Sequence, residues 1–185
     1  MAECVYPWWL GYLLANPLRR LYQNPEKILA PYIEPGMTVL EVGPGMGFFS
    51  LPMARMAGQS GKIVCPDIQE KMLKSLARRA RRAELDTRII TRLSSTDSLN
   101  IDEFAGKVDF VLAFAVVHEI PNQESLFRQI FQAMKSGAQI LIAEPTGHVS
   151  EEGFAKMLSI TERLGFEKVS TPTIRGSISV VLNKP

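Results

Sequence analysis

A chain of 185 residues is long enough for one domain with a substantial core and short for two, and 46% hydrophobic content is ordinary for a globular protein. With 21 Lys and Arg against 19 Asp and Glu, the net charge of +2 gives no electrostatic case for wrapping nucleic acid and fits a small-molecule substrate better. The two cysteines, Cys4 and Cys65, have no spacing of a zinc site or a disulfide framework, which makes a reducing cytoplasm the expected compartment.

The apolar run Val5 to Leu14 contains Tyr6, Trp8, Trp9 and Tyr12. It is roughly half the ~20 residues needed to span a bilayer. No positive charge precedes it, and Arg19 and Arg20 follow, which disfavours a signal segment. No other stretch is long enough to span. Asn24-Pro25-Glu26 then reads as a helix start, with Asn as cap and Pro at the first helical position, running to Tyr32. Pro35-Gly36 is a turn, Met37 to Val42 a strand, and Phe48 to Met56 a helix beyond the glycines.

The cycle repeats: strand Lys62 to Pro66, helix Gln69 to Arg82, strand Thr87 to Arg92, then a loop or short helix over Asp97 to Phe104. Val108 to Phe114 is a nearly continuous apolar run, as expected of a strand buried on both faces. A helix from Asn122 to Lys135 closed by Gly137 leads to a strand at Ala138 to Ala143. Ser150 caps a helix with Glu151 and Glu152 in its first turn, ended by Gly165. Strands at Phe166 to Ser170 and Ser177 to Leu182 finish the chain. Alternating strands and helices predict an α/β three-layer sandwich with a seven-stranded, mostly parallel sheet. The link Thr171 to Gly176 is too short for a parallel crossover, so the last strand pair is antiparallel.

Ligands of such sheets bind beyond the carboxyl ends of the strands, and the first strand-to-helix turn here is Gly43-Pro44-Gly45-Met46-Gly47. Glycines let backbone approach a ligand closely, although a plain tight turn would use them too. Phe48 replaces the third glycine of the dinucleotide fingerprint and no Gly-Lys-Ser/Thr follows, so neither pyrophosphates nor nucleotide triphosphates fit. Glu41 would repel a pyrophosphate but attract an ammonium or sulfonium, so the ligand should carry positive charge.

Val39-Leu40-Glu41-Val42-Gly43-Pro44-Gly45-Met46-Gly47 resembles the first motif of the class I S-adenosylmethionine-dependent methyltransferases, and Asp67 in Val64-Cys65-Pro66-Asp67-Ile68 resembles the acidic residue that holds the ribose hydroxyls in that family. Asp67 could also cap the following helix, and the two roles can coexist. The family position that meets adenine falls at Ser95, with Asp97 as the other candidate, where an acidic residue is usual. Phe114-Ala115-Val116-Val117-His118-Glu119-Ile120-Pro121 resembles the segment bordering cofactor and acceptor.

The resemblance implies a single domain over 1–185, with 1–35 a helical lid or cap and 36–185 a Rossmann-like core. It further implies transfer of a methyl group to a small acceptor, lipophilic ones included, with S-adenosylhomocysteine as product. Glu41, Gly43, Gly45, Gly47, Asp67, Ser95 and Phe114 are the implied cofactor residues.

His118 is the candidate catalytic base, ahead of Glu119, against a plain backbone-bonding role. The N-terminal aromatics, with Tyr22, offer a lid over the cofactor, an edge-packing helix or a membrane-surface contact. Arg78, Arg79, Arg81 and Arg82 read as a solvated face rather than a nucleic-acid patch. Signatures of DNA-amino and protein-arginine methylation are absent, and two cysteines are too few for arsenic methylation. A noncatalytic S-adenosylmethionine-binding module and an NAD-dependent oxidoreductase stand as rivals, and the chain is expected to be a monomer or a homodimer.

Overall fold

A computed structural model describes residues 22–185. Tyr6, Trp8, Trp9 and Tyr12, for which a lid, an edge-packing helix or a membrane-surface contact is expected, lie with Arg19 and Arg20 outside the described residues. The elements in chain order are α1 (Pro25–Leu29), β1 (Thr38–Val42), α2 (Ser50–Met56), β2 (Lys62–Asp67), α3 (Glu70–Arg82), β3 (Ile89–Leu93), β4 (Val108–Phe114), α4 (Gln123–Ala133), β5 (Met134–Pro145), α5 (Glu151–Arg163), β6 (Glu167–Ser170) and β7 (Ser177–Asn183). Short 3-10 turns sit at Asp102–Phe104 and Val117–Glu119. Caps act where the sequence places them: Asn24 accepts from Lys27 N–H at 3.0 Å and Ser150 from Gly153 N–H at 3.1 Å.

The seven strands run in the order β3-β2-β1-β4-β5-β7-β6. β1 is parallel to β2 and β4, and β4 to β5, while β7 runs antiparallel to both β5 and β6. The chain therefore starts in the middle of the sheet, builds outward one way through β3 and then returns to β4. Side chains alternate between two cores. In β4, Val111 and Ala113 face one and Phe110 and Leu112 the other. One face is covered by α4 and α5 through Phe127, Ile130, Phe154 and Met157, the other by α1 to α3 through Leu29, Met53 and Leu76. Tyr32 stacks on Phe110 at 5.2 Å, so the segment after α1 is built into the sheet's own core.

Several boundaries differ from the sequence expectation: α1 ends at Leu29 rather than Tyr32, and β5 begins at Met134 rather than Ala138. The fourth helix ends at Ala133 rather than running to a Gly137 stop, because Met134 is already extended (φ −70°, ψ 143°) and pairs with Val108. Gly137 (φ +78°) instead lies within β5, where the pairing with β4 shifts register, and its N–H donates to Lys184 O at 2.7 Å. The Lys184 ammonium donates to Phe131 O and Met134 O, covering the helix's last carbonyls. At the far edge all four residues of β6 are exposed, and its pairing slips between Lys168 and Ser170. Among the described residues no helix is long and apolar enough to cross a membrane.

Burying a large apolar side chain contributes about 1.5–3 kcal/mol. Leu141, fully buried at the centre of β5, is accordingly expected to cost about 2–5 kcal/mol on substitution by Ala, measured by urea unfolding with an unchanged m-value.

Candidate functional site

The carboxyl ends of β1, β2, β4 and β5 open onto a cavity of about 530 Å3, the size of an ordinary ligand pocket. Gly43, Gly45, Asp67, Ser95, Asp97, Phe114, His118 and Glu119 all line it; Glu41 and Gly47 do not.

The three glycines of the loop have different reasons to be glycine. A Cβ on Gly43 would meet Val116 Cγ2 at 2.5 Å, and one on Gly47 would meet Leu76 Cδ1 at 2.5 Å, so these two let the loop press against the turn after β4 and against α3. Gly45 (φ +55°) would point a Cβ at nothing within 4 Å. Its open side faces the cavity, as a site for close ligand approach requires.

Beneath the loop Glu41 is buried and accepts a hydrogen bond from Ser50 Oγ. Its charge acts from behind the glycines, and together with burial, the larger cause, it pushes the fully buried Cys65 thiol well above its ordinary pKa. Asp67, at the end of β2, is 9% exposed. Its Oδ2 accepts from Gly45 N–H at 3.2 Å and its Oδ1 from Gln69 N–H at 2.8 Å. It thus ties the loop to the start of α3, while a carboxylate retains further acceptor sites for a ligand. Burial raises its pKa against the opposing pull of those two N–H donors. Ser95 closes a small turn: its N–H donates to Ser98 O and its Oγ accepts from Ser98 N–H. Asp97 accepts from Thr96 Oγ1. Phe114 packs on Phe49 with ring centroids 4.5 Å apart.

The turn after β4 carries a group the sequence reading missed. Ala115 holds φ +54°, a strained angle for a residue with a side chain. The Glu144 carboxylate, 1% exposed at the end of β5, accepts from Val116 N–H (3.1 Å), Val117 N–H (3.0 Å), His118 N–H (3.3 Å) and the His118 ring Nδ1. The hydrogen bond that His118 donates to Glu144, and the charge of that carboxylate, raise the pKa of His118 against the opposing effect of burial. Glu119, on the same turn, is itself raised, chiefly by burial. His148 also lines the cavity, its ring 5.6 Å from that of His118. A carboxylate directly after an apolar strand, in Ala143-Glu144-Pro145, was the legible signal.

Residues 33–174 match the family model described as a methyltransferase domain. The chain is 29% identical over 139 residues to phosphoethanolamine N-methyltransferase 2 of Caenorhabditis elegans, covering 74% of this chain and 30% of that protein. It is 25% identical over 109 residues to the ubiquinone/menaquinone biosynthesis C-methyltransferase UbiE of Escherichia fergusonii, covering 59% of this chain and 43% of that one. The chain thus spans less than half the length of these curated relatives. Among solved structures, a SAM dependent methyltransferase from Aquifex aeolicus superposes with a TM-score of 0.87 at 21% identity, over 98% of this chain and 100% of that one.

Two outcomes follow from this geometry. Gly47→Ala is expected to destabilise the fold by about 1–3 kcal/mol through its positive φ and its contact with Leu76, whereas Gly45→Ala loses only the cost of φ, about 1–2 kcal/mol, in parallel denaturation curves. Because the His118 pKa is raised on folding, its ionic bond to Glu144 stabilises fully below the ordinary histidine pKa near 6.5, and that contribution disappears as pH rises through the raised value. Glu144→Gln should flatten that part of the stability–pH curve, read as unfolding midpoints between about pH 5 and 9.

Proposed function

The chain belongs to the methyltransferase-domain family, in its class I, Rossmann-like form with S-adenosylmethionine as cofactor, and on that premise we propose that it transfers a methyl group from this donor to a small-molecule acceptor. The observation that carries the reading is the meeting, at the ends of neighbouring parallel strands, of a glycine open to the cavity and a carboxylate hydrogen-bonded to its N–H.

These residues fit the cofactor. Gly45 would lie beneath it, with no Cβ in the way. Asp67 would accept from its ribose hydroxyls through the acceptor sites that Gly45 and Gln69 leave unused. Ser95 and Asp97 also line the cavity and would face the adenine, and Phe114 the transferring group. Glu41 contributes negative charge from below the loop, which favours a cation there without touching it. When bound, S-adenosylmethionine supplies a methyl group made electrophilic by its sulfonium. The chain's part is alignment: the cavity would hold two reactants in line, an effect that on its own can be worth on the order of several kcal/mol. The two curated relatives are named for transfer to nitrogen and to carbon, so an acceptor class for this chain is sought in its own residues.

Isothermal titration calorimetry with S-adenosylmethionine, S-adenosylhomocysteine and NAD tests the reading. Saturable binding of the first two is expected. Asp67→Ala should weaken it about 10- to 100-fold, as loss of charged hydrogen bonds worth about 1.5–3 kcal/mol implies. Asp67→Asn, which keeps an acceptor for the loop, controls for local unfolding. Binding of NAD alone would make the protein an oxidoreductase instead.

A further inference from the structure

The sequence has two histidines, and both line this cavity. Their surroundings differ. Nδ1 of His118 is hydrogen-bonded to a carboxylate that is 1% exposed and fixed by three backbone N–H donors. Glu144 when ionised has only acceptors, so the proton in that bond belongs to Nδ1. The neutral ring must then carry its lone pair on Nε2. That atom is buried and, among the described residues, has no hydrogen-bond partner. Glu119 Oε1 stands 4.0 Å away, beyond hydrogen-bond reach. A buried, unpartnered nitrogen costs free energy, and nothing in the packing of the turn accounts for it. The large majority of buried polar side-chain atoms are hydrogen-bonded, so a histidine with a purely structural task would ordinarily have both nitrogens satisfied.

We propose that His118 Nε2 is the general base of the transfer, that Glu144 is the positioning residue which fixes its tautomer, and that the acceptor is of the class bearing a proton on the atom to be methylated: a hydroxyl, a thiol or an amine. This rests on the reading of the cavity as a methyl-donor site. The step balances. The lone pair of the acceptor atom forms a bond to the methyl carbon, the carbon–sulfur bond breaks with its electrons remaining on sulfur, and the acceptor's proton passes to Nε2. One positive charge leaves the sulfonium and one arrives on the imidazole, which lies between the carboxylates of Glu144 and Glu119. Among the described residues, these two acids and His148 are the titratable groups facing the ring. Because Glu144 raises the pKa of His118, the base form gains population as pH rises, and turnover should rise with it.

The first test needs no acceptor. In full-length protein with 15N-labelled histidine and bound S-adenosylhomocysteine, the neutral His118 ring is expected to show its proton on Nδ1; a proton on Nε2 overturns the assignment. The second uses S-adenosylmethionine with a phenol, a thiol, a primary amine and trimethylamine as probes, reading S-adenosylhomocysteine released. Turnover of a proton-bearing probe should rise with pH. His118→Asn should lower its kcat at least 100-fold, the usual worth of a general base, and Glu144→Gln should move the pH inflection downward. Turnover of trimethylamine at rates indifferent to pH and to His118→Asn would refute the inference. Calorimetric affinity of both variants for S-adenosylhomocysteine should stay within about threefold of the parent. Failure of the parent to bind it would strike the donor-site reading itself, separately from the base.

Discussion

Parallel neighbours in a sheet cannot be joined by a tight turn, because the chain must travel back along the whole strand before it can pair again. Much else here follows from that constraint. Each return path is long enough to hold a helix, and right-handed crossovers place those helices on both faces. With β1 inside the sheet beside the central β4, the paths to β2 and from β3 to β4 leave in opposite directions, and the loops at the strands' carboxyl ends part between β1 and β4. The cavity is the gap left by that parting. Gly43 pressed against Val116 shows how closely the two diverging loops still approach at their base.

A second dependence runs through Glu144. A carboxylate 1% exposed would be strongly disfavoured without partners, and its oxygens are met by three backbone N–H groups and an imidazole. The same interaction that makes the buried charge tolerable holds the turn whose first residue, Ala115, is strained. Strand β5, the turn after β4 and the cavity wall are therefore one mechanical unit, and β7 closes it from the other side of β5.

Most of the architecture was legible because periodicity and punctuation act locally. The apolar run of β4, the caps at Asn24 and Ser150, and the short link before β7 each encode their element through nearby residues. Gly137 misled because its positive φ suits a helix stop and a strand irregularity equally, and pairing with β4 decided between them. In the site, the glycine motif pointed to a loop that lines the cavity. What separates Gly45 from Gly43 and Gly47 is contact with Val116 and Leu76, which are distant in sequence. Glu144 and His118 are likewise 26 residues apart, and only the parallel register of β4 with β5 brings them together.

The outer strand β6 gives the protein a property unrelated to its cavity. An exposed sheet edge is a template on which other chains can pair, and stacking of that kind leads toward insoluble aggregates. Here the edge is four residues long, carries Glu167 and Lys168, and is broken in register before Ser170. A passing strand meets charge and a kink in place of a flat ladder, so pairing with another chain at this edge is opposed by one of the protein's smallest elements.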